Sequence, residues 1–150
     1  MTGTRHDLPD DWARRPLTDP DLFEAVVDLA VFEALRAAGG VALLLCHADG
    51  RLVQPVMVES VNSASPPHEA EARLTTILGE IAASGVPAVV MAIARPGAPS
   101  ATERDRELRQ AFDRVCRACG LRLLGVALAV PGCVTVLEAA SDSASDSDAA

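Results

Sequence analysis

The chain has 150 residues, 49% of them hydrophobic, and a formal net charge of −8. This length supports one domain with a packed core, and the negative charge argues against binding nucleic acid through its phosphates. The chain has no lysine, which excludes Schiff-base chemistry and a P-loop, and no apolar run is long enough to span a bilayer, so no membrane partner is expected.

The two ends of the chain differ in composition from its middle. Residues 1–17 are rich in proline and charge, which predicts a flexible arm with Trp12 as its only large anchor. The polar N-terminus lacks the apolar stretch of a secretion signal, so the expected location is the cytoplasm. Residues 18–140 are predicted to form a single domain. Residues 141–150, "SDSASDSDAA", carry three aspartates and no large apolar side chain, which predicts a disordered acidic tail.

The first predicted elements are a helix and a strand hairpin. In "LTDPDLFEAVVDLAVFEALRAAGG", Thr18 or Asp19 can cap the start of one helix and Gly39 can end it. The following "VALLLCHADGRLVQPVMV" contains an Asp-Gly turn between two β-prone runs. The first run is apolar throughout, as in a strand buried on both faces. Pro55 in the second run predicts an edge strand, because proline cannot donate a ladder hydrogen bond.

The second half of the chain alternates helices and strands. A helix is predicted from about His68 to Ser84, followed by the strand "PAVVMAIA". Thr102 opens "TERD", a capping box that starts a helix ending at Gly120. A final hairpin turns at "PG". The order α-β-β-α-β-α-β-β predicts a single mixed-sheet α/β domain with helices on both sides of the sheet.

The cysteines are predicted to pack rather than to react. Cys116 and Cys119 form a C-x-x-C near the end of an amphipathic helix, whereas a redox pair usually lies at a helix N-terminus. A zinc site would need further donors from Cys46, His47 or Cys133, and each of these is isolated in sequence. We therefore expect no metal site and no other cofactor.

The stretch from Val41 to Leu137 resembles the RadC-like branch of the JAB/MPN metalloprotease superfamily. The resemblance runs through the hairpin "LLLCHADGRLVQPVMV", the loop "VNSASPPHEAEA" and the segment "VVMAIARPGAPSATERDRELRQAFDRVCRACGLRLLGVALAV". It implies a cytidine-deaminase-like, three-layer fold. In that family a strand delivers H-x-H-P-x-G, S-x-x-D follows, the two histidines and the aspartate hold zinc, and a glutamate on the early hairpin activates the bound water.

The resemblance also implies that the catalytic residues have been lost. The degenerate motif consists of Ile93, Arg95, Pro96, Gly97, Thr102 and Asp105. Ile93 and Arg95 stand at the two histidine positions, and an arginine opposes a divalent cation at the same point. Asp105, at the metal-binding aspartate position, has the capping box as its simplest role and a pairing with Arg95 as an additional one.

The glutamate that the family pattern places on the early hairpin is also missing from this sequence. Its position falls near Pro55 or Val56, and the nearest acidic residue is Glu59, which is not aligned with it. No catalytic residue is therefore assigned, and the chain is expected to be a non-catalytic member of the superfamily. Members without metal ligands generally act through protein–protein contacts.

The expected function is that of a cytosolic protein-binding or scaffold module. Residues 95–122 hold seven arginines against four acidic residues, a local charge of +3, which suits an acidic protein segment or a phosphate-bearing ligand. The predicted binding patch consists of Arg95, Arg104, Arg106, Arg109, Arg114 and Arg117. The acidic tail is an alternative, intramolecular ligand for this patch.

Two other readings of the sequence remain open. One is a divergent metal-dependent hydrolase that has rebuilt its site from Asp105 with Cys46, His47 or Cys133. The other is a small α/β dimerisation domain of an unrelated family, and a homodimer is left open in either case. The sequence does not name the partner.

Overall fold

The computed structural model describes residues 11–61 and 65–138, and five strands in this part of the chain form one open sheet. The strands are β1 (Gly40–Cys46), β2 (Leu52–Val58), β3 (Ala88–Ala94), β4 (Arg122–Val130) and β5 (Cys133–Glu138). They lie in the order β2-β1-β3-β4-β5. The sheet is mixed, because β3 and β4 are parallel whereas the other neighbouring pairs are antiparallel.

Helices cover both faces of this sheet. They are α1 (Pro20–Ala30), α2 (Glu33–Ala38), α3 (Pro67–Ala83) and α4 (Glu103–Cys119), and a short 3-10 turn precedes them at Trp12–Arg14. Side chains alternate between the two faces of a strand. Leu43 and Met91 therefore pack with Phe112 of α4, whereas Leu44 and Val90 lie in a second apolar cluster with α1. The chain is thus a mixed α/β domain with one apolar core on each side of the sheet.

Several predicted elements are confirmed. Every residue of β1 is buried, as expected for a strand covered on both faces, and β2, which contains Pro55, is an edge strand. Helix α4 begins after Thr102 and ends at Gly120, whose positive φ of 79° is the left-handed conformation that glycine adopts readily. Its apolar residues at helical spacing, with Leu108 the first of them, face the core.

The predicted order of elements is wrong at its start, because the first helix is interrupted. Helix α1 ends at Ala30, and Val31 and Phe32 have extended backbones before α2 begins at Glu33. The interruption turns the chain so that the buried Arg36 side chain reaches back to the end of α1. In one continuous helix Arg36 would lie eight residues, or about 12 Å, beyond Asp28, so it would not reach the carbonyl group of Asp28.

Part of the predicted N-terminal arm lies against the domain. Leu17 is buried, and its backbone N–H donates to Gly50 O at 2.9 Å. Pro16 forms an isolated bridge with Arg51, and Trp12 packs partly against the α1 core. Residues 1–10, 62–64 and 139–150 lie outside the described residues, so the acidic tail and the first part of the arm remain predictions. Among the described helices, none has both the length and the apolar character required to cross a bilayer.

Candidate functional site

The loop between β3 and α4 lies at the end of the sheet formed by the carboxyl ends of β3 and β4, where α/β proteins commonly bind ligands. Strands β3 and β4 are parallel, so their carboxyl ends lie side by side at this end of the sheet, with Ala94 opposite Ala129. The chain leaves β3 at Arg95, whose backbone N–H donates to Ala129 O at 3.1 Å. The chain then passes over this end of the sheet and enters α4 at Glu103. The degenerate motif therefore occupies the place where a ligand site is expected.

The centre of this loop is an ion pair between Arg95 and Asp105. Arg95 Nη2 lies 2.8 Å from Asp105 Oδ2, and Arg95 Nε lies 3.1 Å from Oδ1. The carboxylate is fully buried and the arginine side chain is 11% exposed. Two guanidinium nitrogens facing two carboxylate oxygens form a bidentate pair, the strongest arrangement for these groups. The pairing that the sequence suggested is confirmed by these distances.

The remaining donors of Arg95 bind the loop itself. Nη1 donates to Pro96 O at 2.9 Å, and Nη2 donates to Ser100 O at 2.9 Å. Gly97 has a φ of 105°, and a Cβ atom there would lie 3.1 Å from Arg95 Nη1. Glycine at this position therefore permits both the turn and the close approach of the guanidinium. The side chain of Arg95 is surrounded by groups of its own loop.

The capping box predicted at the start of α4 is confirmed. Asp105 N donates to Thr102 Oγ1 at 3.1 Å, and Thr102 N donates to Asp105 Oδ2 at 2.9 Å. Burial disfavours the ionised carboxyl group, but the hydrogen bonds from Arg95 and from Thr102 N outweigh burial and hold the pKa of Asp105 below its usual value. Asp105 is therefore a buried carboxylate with partners at both of its oxygens.

The other motif positions hold apolar side chains. Ile93 is fully buried in the core beneath α3 and α4, and Val56 packs partly against the same core. Pro55 is exposed on the edge strand, and Glu59, also exposed, follows the last residue of β2. The two positions at which the resemblance would place a catalytic glutamate thus carry no carboxylate.

The structure separates Cys46 and His47 from Asp105, whereas Cys133, which pairs with Val130, lies at the same end of the sheet as Asp105. Gly40, the first residue of β1, pairs with Ala94 beside the loop, whereas Cys46, the last residue of β1, pairs with Ala88 at the opposite end of the strands. The seven residues of β1 separate the two ends by about 20 Å. His47 follows Cys46 and is exposed. Within residues 11–61 and 65–138 no three His, Cys, Asp or Glu side chains cluster in a way that would hold a metal ion.

The four cysteines are free thiols in different environments. Cys46 and Cys116 are buried, and burial raises the pKa of each thiol to about 12, with smaller contributions from Asp49 and Asp113 respectively. Cys119 is half-buried, and Cys133 is exposed at the start of β5. Cys116, the first cysteine of the C-x-x-C pair, therefore lacks the thiolate character of a redox site.

The arginines of the predicted binding patch differ in how strongly they are paired. At the C-terminal half of α4, Arg114 Nη2 lies 2.7 Å from Glu71 Oε1, and Arg117 Nε lies 3.1 Å from Asp113 Oδ2. The hydrogen bond from Arg114 holds the pKa of Glu71 below its usual value. These two arginines have close acidic partners, which reduces their attraction for another anion.

At the N-terminal half of α4 the ion pairs are longer. Arg104 Nη1 lies 3.8 Å from Glu107, and its Nη2 donates to Ser65 O in the loop before α3. Arg106 Nη1 lies 3.9 Å from Glu103, and the Arg106 side chain is 59% exposed. Exposed pairs of this length contribute little energy. Arg104 and Arg106 therefore have longer ion pairs along α4 than Arg114 and Arg117 have.

A recess of about 380 Å³ lies between α4 and the end of β5. It is lined by Ala101, Arg106, Arg109 and Leu137. It combines two cations with one large apolar side chain, and it lies beside the outer strand of the sheet. By contrast, a slot between α3 and α4 offers about 20 Å³, the space of one water molecule. The larger recess is the candidate binding site, and Arg106 and Arg109 are the patch residues that line it.

Sequence reasoning missed Arg36, which is 1% exposed. Its Nε donates to Val31 O at 3.0 Å, its Nη2 to Asp28 O at 2.9 Å, and its Nη1 to Val130 O at 3.1 Å. Nη2 also lies 2.9 Å from Asp28 Oδ1. No pattern around residue 36 marks it as buried, because an arginine beside the apolar stripe of a helix is normally solvated.

Comparison with known proteins adds no assignment. No protein-family model matches the chain, and no curated protein matches it. The function is therefore inferred from the site.

Proposed function

We propose that this chain is a non-catalytic JAB/MPN-like binding module that captures an acidic segment of a partner protein in the recess between α4 and β5. The observation that carries the proposal is the Arg95–Asp105 pair. In the loop between β3 and α4, Arg95 is bound by the Asp105 carboxylate and by the carbonyl groups of Pro96 and Ser100, so these polar groups satisfy one another. In this proposal the loop has a structural role, and the recess between α4 and β5 binds the partner.

The chemistry of the loop argues against hydrolysis. A metal-activated water needs an open coordination position and a nearby base. Here Asp105 is bound by Arg95 and Thr102, and the arginine places a fixed positive charge where a cation would have to lie. Ile93 and Val56 supply no donor atoms. To bind a metal at Asp105, the protein would first have to break the bidentate pair.

The recess supports an acidic peptide as the ligand. Arg106 and Arg109 are three residues apart on a helix, so they lie on one face of α4 and can meet carboxylates together. Leu137 adds an apolar contact, and among the described residues no strand pairs with the outer edge of β5. An extended segment along this edge can combine backbone hydrogen bonds with the two charges. An acidic, extended protein segment fits these groups.

The experiment is affinity capture from the native host with the full chain and two variants. Arg106→Glu/Arg109→Glu reverses the charge of the recess, and Arg117→Glu is the matched control, because Arg117 is 81% exposed near the other end of α4. We expect a specific partner that is lost at least tenfold with the double variant and retained with the control. Equal capture by all three proteins would contradict the proposal.

A second measurement separates binding from catalysis. The protein purified from its host is dialysed, and its zinc content is measured. We expect far less than one zinc per chain. About one zinc per chain, bound in a way that Asp105→Asn abolishes, would replace the proposal with a hydrolase.

A further inference from the structure

We propose that the partner segment adds to the five-stranded sheet as an antiparallel strand beside β5, and that acidic residues alternate in it with β-branched apolar residues. This inference rests on the proposed function, since it names the binding mode and the sequence class of the partner at the same site. Three observations support it: the direction of the backbone groups of β5, the faces on which its side chains lie, and the contrast between the two edges of the sheet.

The backbone groups of Val134 and Val136 point away from β4. The N–H group of Arg95 donates to Ala129 O at 3.1 Å, so the backbone groups of Ala129 face β3. Ala129 is paired with Val134 in the ladder of β4 and β5, and this pair therefore exchanges no hydrogen bonds. Pairs of this kind alternate with hydrogen-bonded pairs, so Val136, two residues later, is oriented like Val134. The N–H and C=O groups of both valines therefore face the outer edge of the sheet.

These groups can form four hydrogen bonds with an added antiparallel strand. Each hydrogen-bonded pair of residues in an antiparallel ladder exchanges two N–H···O bonds. Val134 and Val136 provide two such positions, and both lie in the regular part of β5, because its register with β4 shifts only after Val136. Backbone bonds of this kind give affinity to a segment that extends a sheet, whereas the side chains of the segment give specificity.

The two faces of β5 select different side chains in the added strand. Val134 packs in the core beneath α1, and Val136, on the same face of the strand, is 38% exposed. On the other face Leu137 packs against the α4 core and lines the recess with Arg106 and Arg109. Successive residues of an added strand alternate between these faces. An apolar residue on the α1 face would cover Val136, and acidic residues on the α4 face would meet the recess.

The two edges of the sheet differ in how they are protected from pairing. Strand β2 contains Pro55, which has no N–H group, and a bridge between Pro16 and Arg51 lies next to its start. Strand β5 contains no proline, and its only charged residue is the last one, Glu138. Among the described residues no strand pairs with its outer edge. Because natural proteins protect edges against unwanted pairing, the composition of β5 favours an edge that pairs with a partner.

The first test is hydrogen exchange of the full chain, followed at single backbone amides by nuclear magnetic resonance. In the free protein the amides of Val134 and Val136 should exchange quickly, whereas the amide of Thr135, which faces Leu128 of β4, should be protected. A blocked synthetic peptide in which glutamate alternates with valine should then protect both valine amides. A peptide of the same composition with its glutamates grouped at one end should protect them far less.

Protection of both valine amides in the free protein would overturn the inference. If this protection is independent of protein concentration, the chain covers the edge with its own residues. If it rises with protein concentration, a second copy of the chain pairs there. Fast exchange that the alternating peptide does not slow would also overturn it, because the edge would then be open but unable to bind such a strand.

The second test compares two substitutions at one position. Val136→Pro removes an outward N–H group that takes no part in the ladder with β4, a place where an edge strand tolerates proline. Val136→Ala is the matched control, because it shortens the same side chain and keeps the N–H group. We expect the proline variant to bind the alternating peptide at least tenfold more weakly than the alanine variant. Equal affinities would contradict an added strand. A peptide N-methylated at its valines tests the same bonds on the natural chain, so the result does not depend on the folding of a variant.

Failure of this inference is distinguishable from failure of the proposed function. If Val136→Pro captures the host partner as well as the natural chain does, whereas Arg106→Glu/Arg109→Glu does not, the recess binds through side chains and no strand is added. If the arginine variant also captures the partner fully, the proposed function fails as well.

Discussion

Arg95 Nη2 lies 2.8 Å from Asp105 Oδ2, and this contact joins the carboxyl end of the central strand β3 to the first turn of α4 across a loop of eight residues, 95–102. The same carboxylate accepts a hydrogen bond from Thr102 N. One side chain therefore completes a helix cap and neutralises a largely buried guanidinium. Because of this double role, even a substitution of Asp105 by a side chain of the same shape should lower the stability of the protein.

Asp105→Asn should reduce the free energy of unfolding by about 1–3 kcal/mol, because a largely buried arginine loses its countercharge. Asparagine keeps an oxygen for the cap, and Arg95 keeps its bonds to Pro96 O and Ser100 O, which limits the loss. Asp105→Ala should cost about 1 kcal/mol more, since the cap is lost as well. Denaturant unfolding with circular dichroism measures both values.

The control for this prediction is a double-mutant cycle with Arg95→Met. If the pair is the cause, Asp105→Asn should cost much less in the Arg95→Met background than in the natural chain. Equal costs in both backgrounds would show that the cap alone, and not the pair, explains the effect.

The stability of the protein should fall at acidic pH through Asp105. Its pKa is lowered in the folded protein by Arg95 and Thr102, whereas an unfolded aspartate titrates near pH 3.9. A lowered folded pKa means that the unfolded chain takes up the proton first, so this contribution is complete above about pH 5 and disappears as the pH falls through the folded pKa. The difference in unfolding free energy between the natural chain and Asp105→Asn should be constant from pH 7 to pH 5 and should shrink below pH 4. A difference that persists unchanged to pH 2 would contradict the assignment.

Arg36→Met should destabilise the domain by about 2–4 kcal/mol. The methionine fills part of the space, but the carbonyl groups of Val31, Asp28 and Val130 lose their donor. Arg36→Lys should recover only part of this loss, because one ammonium group cannot replace a planar fork of donors.

Arg73→Met is the matched control for Arg36, since Arg73 is exposed on α3. It should change the free energy of unfolding by less than about 0.5 kcal/mol. Chemical denaturation of all three variants in one buffer makes the comparison. Similar losses of unfolding free energy for Arg36→Met and Arg73→Met would show that the buried hydrogen bonds of Arg36 do not contribute to stability.

The thiols should react in the order of their exposure. Cys133 is exposed and should be alkylated first, followed by the half-buried Cys119. Cys46 and Cys116 should stay unmodified in the native protein at pH 8, because burial raises the pKa of each to about 12. Mass spectrometry of iodoacetamide-treated protein identifies the sites, and denatured protein provides the control in which all four react. Rapid modification of Cys116 in the folded protein would contradict its placement in the core.

Much of the fold could be predicted from the sequence, because the local preferences of the residues for helix, strand and cap agree with the packing of the folded domain. The uniformly apolar run before "HADG" forms a strand that is buried on both faces, and Pro55 lies in an edge strand. Thr102 and Gly120 mark the two ends of α4 through local hydrogen bonds and backbone conformation. The pairing of Arg95 with Asp105 was also suggested, because the two residues flank one short loop.

Contacts between distant parts of the chain decided the rest. The break between α1 and α2 lets Arg36 bind Asp28 O on α1 and Val130 O on β4, and Val130 lies 94 residues away in sequence. The recess between α4 and β5 exists because the sheet places Leu137 beside Arg106 and Arg109. The α/β class, the strands and the two long helices could be predicted from the amino-acid pattern, since they depend on neighbours a few residues apart. The burial of Arg36 and the shared surface of Arg106 and Arg109 could not, because they depend on contacts between residues far apart in the chain.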